Sequence, residues 1–240
     1  MDLKKSMLGV FAHPDDETFL PGGLFALAHM MGAPTALMCL TRGEKGKGNL
    51  TKPMDERELA ETRSYELKEA AKILGVSRVF IFDYPDGGLS LVPQDEILEK
   101  IVTIIKEIKP YRILTFGPEG GTGHRDHIAL HGVVNQAFQS TQNLKEPPRE
   151  LYWRAFPESM RKLYLKPPHG RPRTEAYYHK GDFPVTYKDR DIESIDITSV
   201  LEVKKQASLV HKTQNSEWLF KQSPELIHEI WEREYYYRAQ

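Results

Sequence analysis

The chain has 240 residues, 40% of them hydrophobic and 28% charged, which is globular composition with a length that fits one domain. Its formal net charge of -1 gives no electrostatic reason to expect nucleic acid or an anionic membrane as partner. No run approaches the ~20 apolar residues of a membrane-spanning helix, no signal peptide precedes Pro14, and the one cysteine, Cys39, sits in an apolar run as a core thiol, so a soluble cytoplasmic protein is expected.

The apolar run up to Phe11 reads as a first strand, over Leu8–Ala12, and the charged cluster His13-Pro14-Asp15-Asp16-Glu17 follows it directly. Charge beside a core strand is costly unless compensated, and a divalent ion accepts both imidazole and carboxylate ligands. Gly22–Met31 then has helical spacing, and Thr35–Leu40 reads as strand two, followed by a glycine-rich loop over Thr41–Gly48. Gly43 and Gly48 have phosphate-loop spacing, but Asn49 stands where that motif needs lysine, which excludes nucleotide binding; Lys45 and Lys47 are expected in solvent.

Asp55 with Glu58 predicts a capping box opening a helix with Leu59, Leu67, Ala70, Ala71 and Leu74 inward, stopped by Gly75. Arg78–Phe82 is strand three, ended by the turn at Pro85-Asp86-Gly87-Gly88. Pro93 suits the first turn of a helix carrying Ile97, Ile101, Ile104, Ile105 and Ile108 on one face. Tyr111–Phe116 is strand four, Gly117–Gly123 a second glycine-rich loop, and His124–Gln139 a helix.

Beyond it, Leu151–Phe156 and Ile192–Ile197 read as strands, Pro157–Asp182 as a long surface excursion, and Thr198–Lys212 and Pro224–Tyr237 as terminal helices. The aromatic run Trp231, Tyr235, Tyr236, Tyr237 then reads as a packing or oligomer surface. The alternation of strands and helices predicts an α/β fold: a Rossmann-like, mostly parallel sheet with helices on both faces and a mixed C-terminal portion. It is expected to form one domain over 1–240, with a core at 1–145 and an extension at 146–240. In such sheets sites form at the carboxyl ends of strands, where His13, the 42–48 loop, Asp86 and His124 all fall.

In Gly123-His124-Arg125-Asp126-His127 the two histidines are three apart at a helix start and address one point. His131 lies on nearly the same face. Catalytic zinc takes three protein ligands and keeps one position open, so these residues and the first cluster supply more donors than one ion uses. Spacing alone leaves the division between ligands and acid–base groups open, and Fe(II) accepts the same kind of set.

The two clusters together resemble the LmbE-like (PIG-L) family of zinc-dependent N-acetylglucosaminyl deacetylases. Thr41–Gly46, Arg63 with Glu66, Asp86-Gly87, and Lys205–Gln214 with His211 agree with it in the right order. The resemblance implies zinc on His13, Asp16 and His127, with Asp15 as general base acting on water. It implies His124 as oxyanion stabiliser or general acid, oriented by Asp126. It implies Arg63, Asp86, Glu44 and His211 as substrate contacts, and places Gln214 in the family's late motif. Family members are often oligomeric, so a homo-oligomer acting on a small amino-sugar substrate is expected. Two positions depart from the family pattern: Thr122 stands where some relatives have tyrosine, and Arg125 where proline is common. The competing readings are hydrolysis of another amide on the same site, and metal binding without turnover.

Overall fold

The computed structural model describes residues 1–46, 48, 50, 52–161, 185–214 and 224–240. β1 (Met7–Phe11) is buried along its whole length and leads into a single helical turn, α1 (Asp16–Phe19), and then α2 (Gly22–Met30). β2 (Thr35–Thr41) is equally buried, as expected for a strand covered on both faces. α3 (Glu56–Ile73) opens on the predicted capping box: the Asp55 carboxylate accepts the Glu58 N–H at 2.8 Å, and the Glu58 carboxylate accepts the Asp55 N–H at 3.2 Å. Gly75, at φ 72°, takes the left-handed position that ends it.

β3 (Arg78–Tyr84), α4 (Gln94–Ile108), β4 (Arg112–Thr115), the short turn α5 (Gly120–Gly123) and α6 (Arg125–Ser140) follow, with Pro93 as the residue just before α4. β5 (Glu150–Arg154), β6 (Glu193–Asp196), α7 (Leu201–Val210), α8 (Pro224–Trp231) and β7 (Arg233–Arg238) complete the described chain. Residues 162–182 of the expected excursion, and Lys47, Asn49 and Thr51, lie outside the described residues.

The strand order is β3-β2-β1-β4-β5-β7-β6, with β1 to β5 parallel and β7 antiparallel to both its neighbours. α2, α3 and α7 pack together, as do α4 and α6. The order reverses between β1 and β4, which makes the carboxyl ends of those two strands the switch point where ligands bind in such sheets. Both histidine motifs leave the sheet there.

The expected helix over Pro224–Tyr237 is two elements. It ends at Trp231, and Arg233–Arg238 is β7, inserted between β5 and β6. Alternation decides this: Glu234 and Tyr236 are buried while Tyr235 and Tyr237 are half-buried, the period of a strand. The tyrosine run therefore packs within the fold, Tyr236 edge-on to Tyr152 at 6.5 Å and Tyr237 stacked on Trp153 at 5.4 Å.

β7 also ties the end of the chain to its beginning. The buried Glu234 carboxylate accepts the N–H groups of Gly23 at 2.7 Å and Leu24 at 3.0 Å, at the positive end of α2. It also accepts the Tyr236 hydroxyl at 2.7 Å and the buried Lys204 ammonium at 2.6 Å. Glu234→Ala strands Lys204 without its counter-ion and should cost about 3–5 kcal/mol in urea unfolding. A change within about 0.5 kcal/mol, the surface-substitution range, would rule this tether out.

Candidate active site

The chain leaves β1 through a tight reversal centred on Asp15, whose φ of 103° is rare for a residue with a side chain. The reversal is held on both sides. The Asp15 N–H donates to Glu17 Oε2 at 2.9 Å, and the Asp15 carbonyl accepts the Thr18 hydroxyl at 2.8 Å and the Thr18 N–H at 3.0 Å. Adjacent carboxylates consequently face different partners. Asp15 lies 3.5 Å from the Arg63 guanidinium, and Asp16 turns to the histidines.

Across the switch point, His127 is fixed at Nδ1 and on one ring face. Its Nδ1 is 2.9 Å from the Gly120 carbonyl, and its ring stacks on Phe116 at 3.9 Å and 11°. Gly120 has φ 67°, and a Cβ there would come within 2.9 Å of the His127 Cβ, so only glycine lets the loop carry that carbonyl so close. The Nδ1 proton therefore goes to the carbonyl and Nε2 is left with its lone pair outward.

The outward atoms converge. His13 Nδ1 is 3.1 Å from His127 Nε2 and 3.6 Å from Asp16 Oδ2, and His127 Nε2 is 3.5 Å from the same oxygen. An ion with tetrahedral ligands at 2.0–2.1 Å holds its donors about 3.3–3.4 Å apart. The triangle His13–Asp16–His127 has that size, and its donor types suit a divalent transition metal. The His124 ring, 4.7 Å from that of His13 and 4.9 Å from that of His127, stands at its edge.

The rear nitrogen of His13 is held by acids. Nε2 lies 3.0 Å from Asp126 Oδ2 and 3.1 Å from Asp86 Oδ1. Asp126 is locked in turn by the N–H groups of Gly87 at 2.7 Å and Leu89 at 3.0 Å. A carboxylate behind a ligating imidazole fixes its tautomer and raises its basicity. Asp126, expected to orient His124, places its carboxylate on His13 instead, while its backbone N–H donates to His124 Nδ1 at 3.2 Å. An accepting Nδ1 leaves the His124 proton on Nε2.

Electrostatics separate the two aspartates. Burial pushes the Asp15 carboxyl up to about 7, with the Asp16 charge adding and Arg63 opposing. Burial also opposes ionisation of Asp16, but His127 and His13 outweigh it and hold that carboxyl below the usual range. Burial drives His127 down to about 4, with His13 and His124 adding to the effect, so the ring is a neutral donor. Burial opposes a charged His13 as well, yet Asp126, Asp16 and Asp86 outweigh it and raise its pKa. His124 is lowered by burial and by His13.

The remaining sequence candidates brace the loops. Arg63 is buried; it donates to the carbonyls of Gly43 at 2.7 Å and of Pro14, and lies against Asp15. A Cβ on Gly43, at φ 67°, would strike that guanidinium at 2.4 Å. Glu44 Oε1 accepts the Asp86 N–H at 2.7 Å, and Lys45, expected free in solvent, donates its ammonium to the Asp86 carbonyl at 2.8 Å. His211, expected as a substrate contact, is instead fully buried with Nε2 2.6 Å from Glu17 Oε1. Gln214 donates to the Gly46 carbonyl at 2.8 Å. His131 points away, with Nδ1 2.9 Å from the Phe116 carbonyl and its ring edge-on to Trp153.

Residues 8–138 match the family described as PIG-L, GlcNAc-PI de-N-acetylase. A 1D-myo-inositol 2-acetamido-2-deoxy-alpha-D-glucopyranoside deacetylase of Catenulispora acidiphila is 29% identical over 88% of this chain and 80% of its own length. A probable N-acetyl-alpha-D-glucosaminyl L-malate deacetylase of Bacillus anthracis is 30% identical over 75% of this chain and 78% of its own. Among solved structures, the N,N'-diacetylchitobiose deacetylase from Pyrococcus horikoshii superposes with a TM-score of 0.69 at 22% identity, over 98% of this chain and 84% of that one, a likeness of fold.

Proposed function

The chain belongs to the PIG-L family, and from that premise we propose that it is a metal-dependent amidohydrolase that removes the N-acetyl group of an N-acetylglucosamine conjugate. The observation that carries this is the donor triangle of His13, Asp16 and His127 beside a separate carboxylate, Asp15, that turns away from it. The named relatives act on an inositol glycoside and a malate glycoside of the same acetylated amino sugar. What those substrates share is the N-acetylglucosaminyl amide, so that is the bond assigned.

A divalent ion held by the triangle would supply a Lewis acid that activates water and polarises the amide carbonyl. Zinc suits the two imidazoles and one carboxylate, and Fe(II) is the alternative the same set accepts. Asp15 takes the proton from the attacking water, a role matched by a carboxyl pushed up to about 7. His124, with its proton on Nε2, donates to the developing oxyanion or to the leaving nitrogen. Asp126 and Asp86 hold His13 from behind.

No helix among the described residues is long and apolar enough to cross a membrane. The buried free thiol of Cys39 supports a reducing, cytoplasmic setting. We read 1–240 as one domain because β7 and β6 extend the sheet that 1–145 begins. A homo-oligomer stays part of the proposal, resting on family habit rather than on the tyrosine run that the sheet absorbs.

Acetate release tests the reaction. The metal-loaded protein is expected to release acetate from one or more of N-acetylglucosaminyl inositol, N-acetylglucosaminyl malate and diacetylchitobiose, and the apoprotein from none. No release across the panel would reject the N-acetyl assignment in favour of a different amide.

A further inference from the structure

The catalytic reading leaves one buried pair unused. Glu17 and His211 are both fully buried, 194 positions apart in the chain, and joined by a 2.6 Å contact between Glu17 Oε1 and His211 Nε2. The other oxygen of Glu17 accepts the Asp15 N–H at 2.9 Å. One carboxylate thus links the backbone of the proposed base to a histidine just past the end of α7.

That backbone is the one under strain. A side-chain-bearing residue at φ 103° costs about 1–3 kcal/mol and persists only when its surroundings over-determine it. The Glu17 acceptor is the restraint on the N–H side of the strained residue. A glutamate side chain has rotamer freedom of its own, and the bond to His211 fixes it.

His211 is itself firmly seated. Its segment is pinned by Thr213, whose N–H and hydroxyl donate to the two oxygens of Glu66 at 3.0 and 2.6 Å, and by Gln214 on the Gly46 carbonyl. His211 Nδ1 is buried with no partner among the described residues, and the ring is held through Nε2 on Glu17.

We propose that His211 and Glu17 are positioning residues for Asp15: His211 fixes the Glu17 carboxylate, and Glu17 holds the Asp15 peptide in the conformation that separates the base from its metal-binding neighbour. This rests on Asp15 being the base of the proposed hydrolysis, but its structural half can be read without substrate. It differs from a substrate-contact role for His211, which would be seen in KM.

Two variants separate the roles. His211→Phe keeps a planar ring and removes the donor; His211→Gln restores an N–H at about the place of Nε2. Both are compared with the parent as zinc-loaded protein, by metal content, by kcat and KM for acetate release, and by hydrogen exchange of the Asp15 amide in NMR spectra. His211→Phe is expected to keep its metal and its KM, to lose about 10- to 100-fold in kcat, and to speed Asp15 exchange about tenfold or more. His211→Gln should recover most of both. If phenylalanine is too large to fold there, His211→Ala carries the same expectation.

Unchanged Asp15 exchange in the donor-less variant overturns the proposal, as does faster exchange with kcat intact. A rise in KM alone overturns it in favour of a substrate contact. If the parent releases no acetate from any conjugate, the deacetylase reading fails while the exchange experiment still decides the clamp.

Discussion

Asp15→Ala is expected to retain its metal and to lose about 10²–10⁴-fold in turnover. The metal is retained because the donor triangle consists of His13 Nδ1, Asp16 Oδ2 and His127 Nε2, and Asp15 faces Arg63 instead. Turnover falls because the neighbouring carboxylates among the described residues are committed elsewhere: Asp86 and Asp126 are held on His13 and Glu17 on His211. Burial disfavours the charged form of this carboxyl, and Arg63 beside it keeps the Gly43 and Pro14 carbonyls as acceptors in the variant. The same shift fixes the sign of the pH dependence. A general base works ionised, so activity is lost as pH falls through the Asp15 pKa. Burial sets that pKa at about 7, and a cation on neighbouring Asp16 favours the charged form and moves it lower. The acid limb of kcat/KM should therefore have its midpoint at or below about 7 and disappear in the variant's residual activity. Near-normal turnover in Asp15→Ala, with metal content and substrate confirmed, would remove Asp15 as the base.

Much of this was legible in the sequence because the informative features were local. Asp55 and Glu58 lie within one turn, and the capping box they predict forms. The apolar run before His13 and the glycines before His124 mark strand ends, and the parallel alternation alone brings both motifs to the carboxyl edge. The partner of Asp126 was not legible in that way. Helical spacing places Asp126 off the face shared by His124 and His127, but says nothing of what approaches from the other side. The turn after β3 supplies the Gly87 and Leu89 amides that lock Asp126 onto His13. The burial of His211 is hidden from the sequence for the opposite reason. A histidine in a late motif suggests a pocket, and only the packing of α7 against α2 and α3 puts it behind Glu17 instead. The end of α8 fell to the same limit. Neither glycine nor proline separates Trp231 from Arg233, so the helical spacing runs on into the tyrosines. Pairing with β5 and the burial of Glu234 on α2 decide the break, and both are long-range.

His13→Ala should abolish stoichiometric metal binding, whereas Asp126→Asn should weaken it about 10- to 100-fold. His13 offers the ligand atom itself, with Nδ1 at 3.1 Å from His127 Nε2, and its loss leaves two donors where a catalytic tetrahedral site takes three protein ligands. Asp126 contributes from behind by holding Nε2 at 3.0 Å, and asparagine keeps the shape while removing the charge that makes the imidazole a strong donor. Charge also predicts how affinity varies with pH. Burial disfavours a charged His13, but its three carboxylate neighbours outweigh that and hold a proton there. A divalent ion at Nδ1 must displace that proton, so binding releases it and affinity falls as pH is lowered. Competition titration against a chelator at several pH values, with proton release followed in weak buffer, measures both effects. The parent should release more protons than Asp126→Asn, because removing the carboxylate lowers the proton affinity that binding has to overcome. Full metal occupancy in His13→Ala would break the donor triangle as assigned and move the ligand set toward His124. Equal affinity in Asp126→Asn would mean that the carboxylate behind His13 serves only to anchor the turn at Gly87 and Leu89.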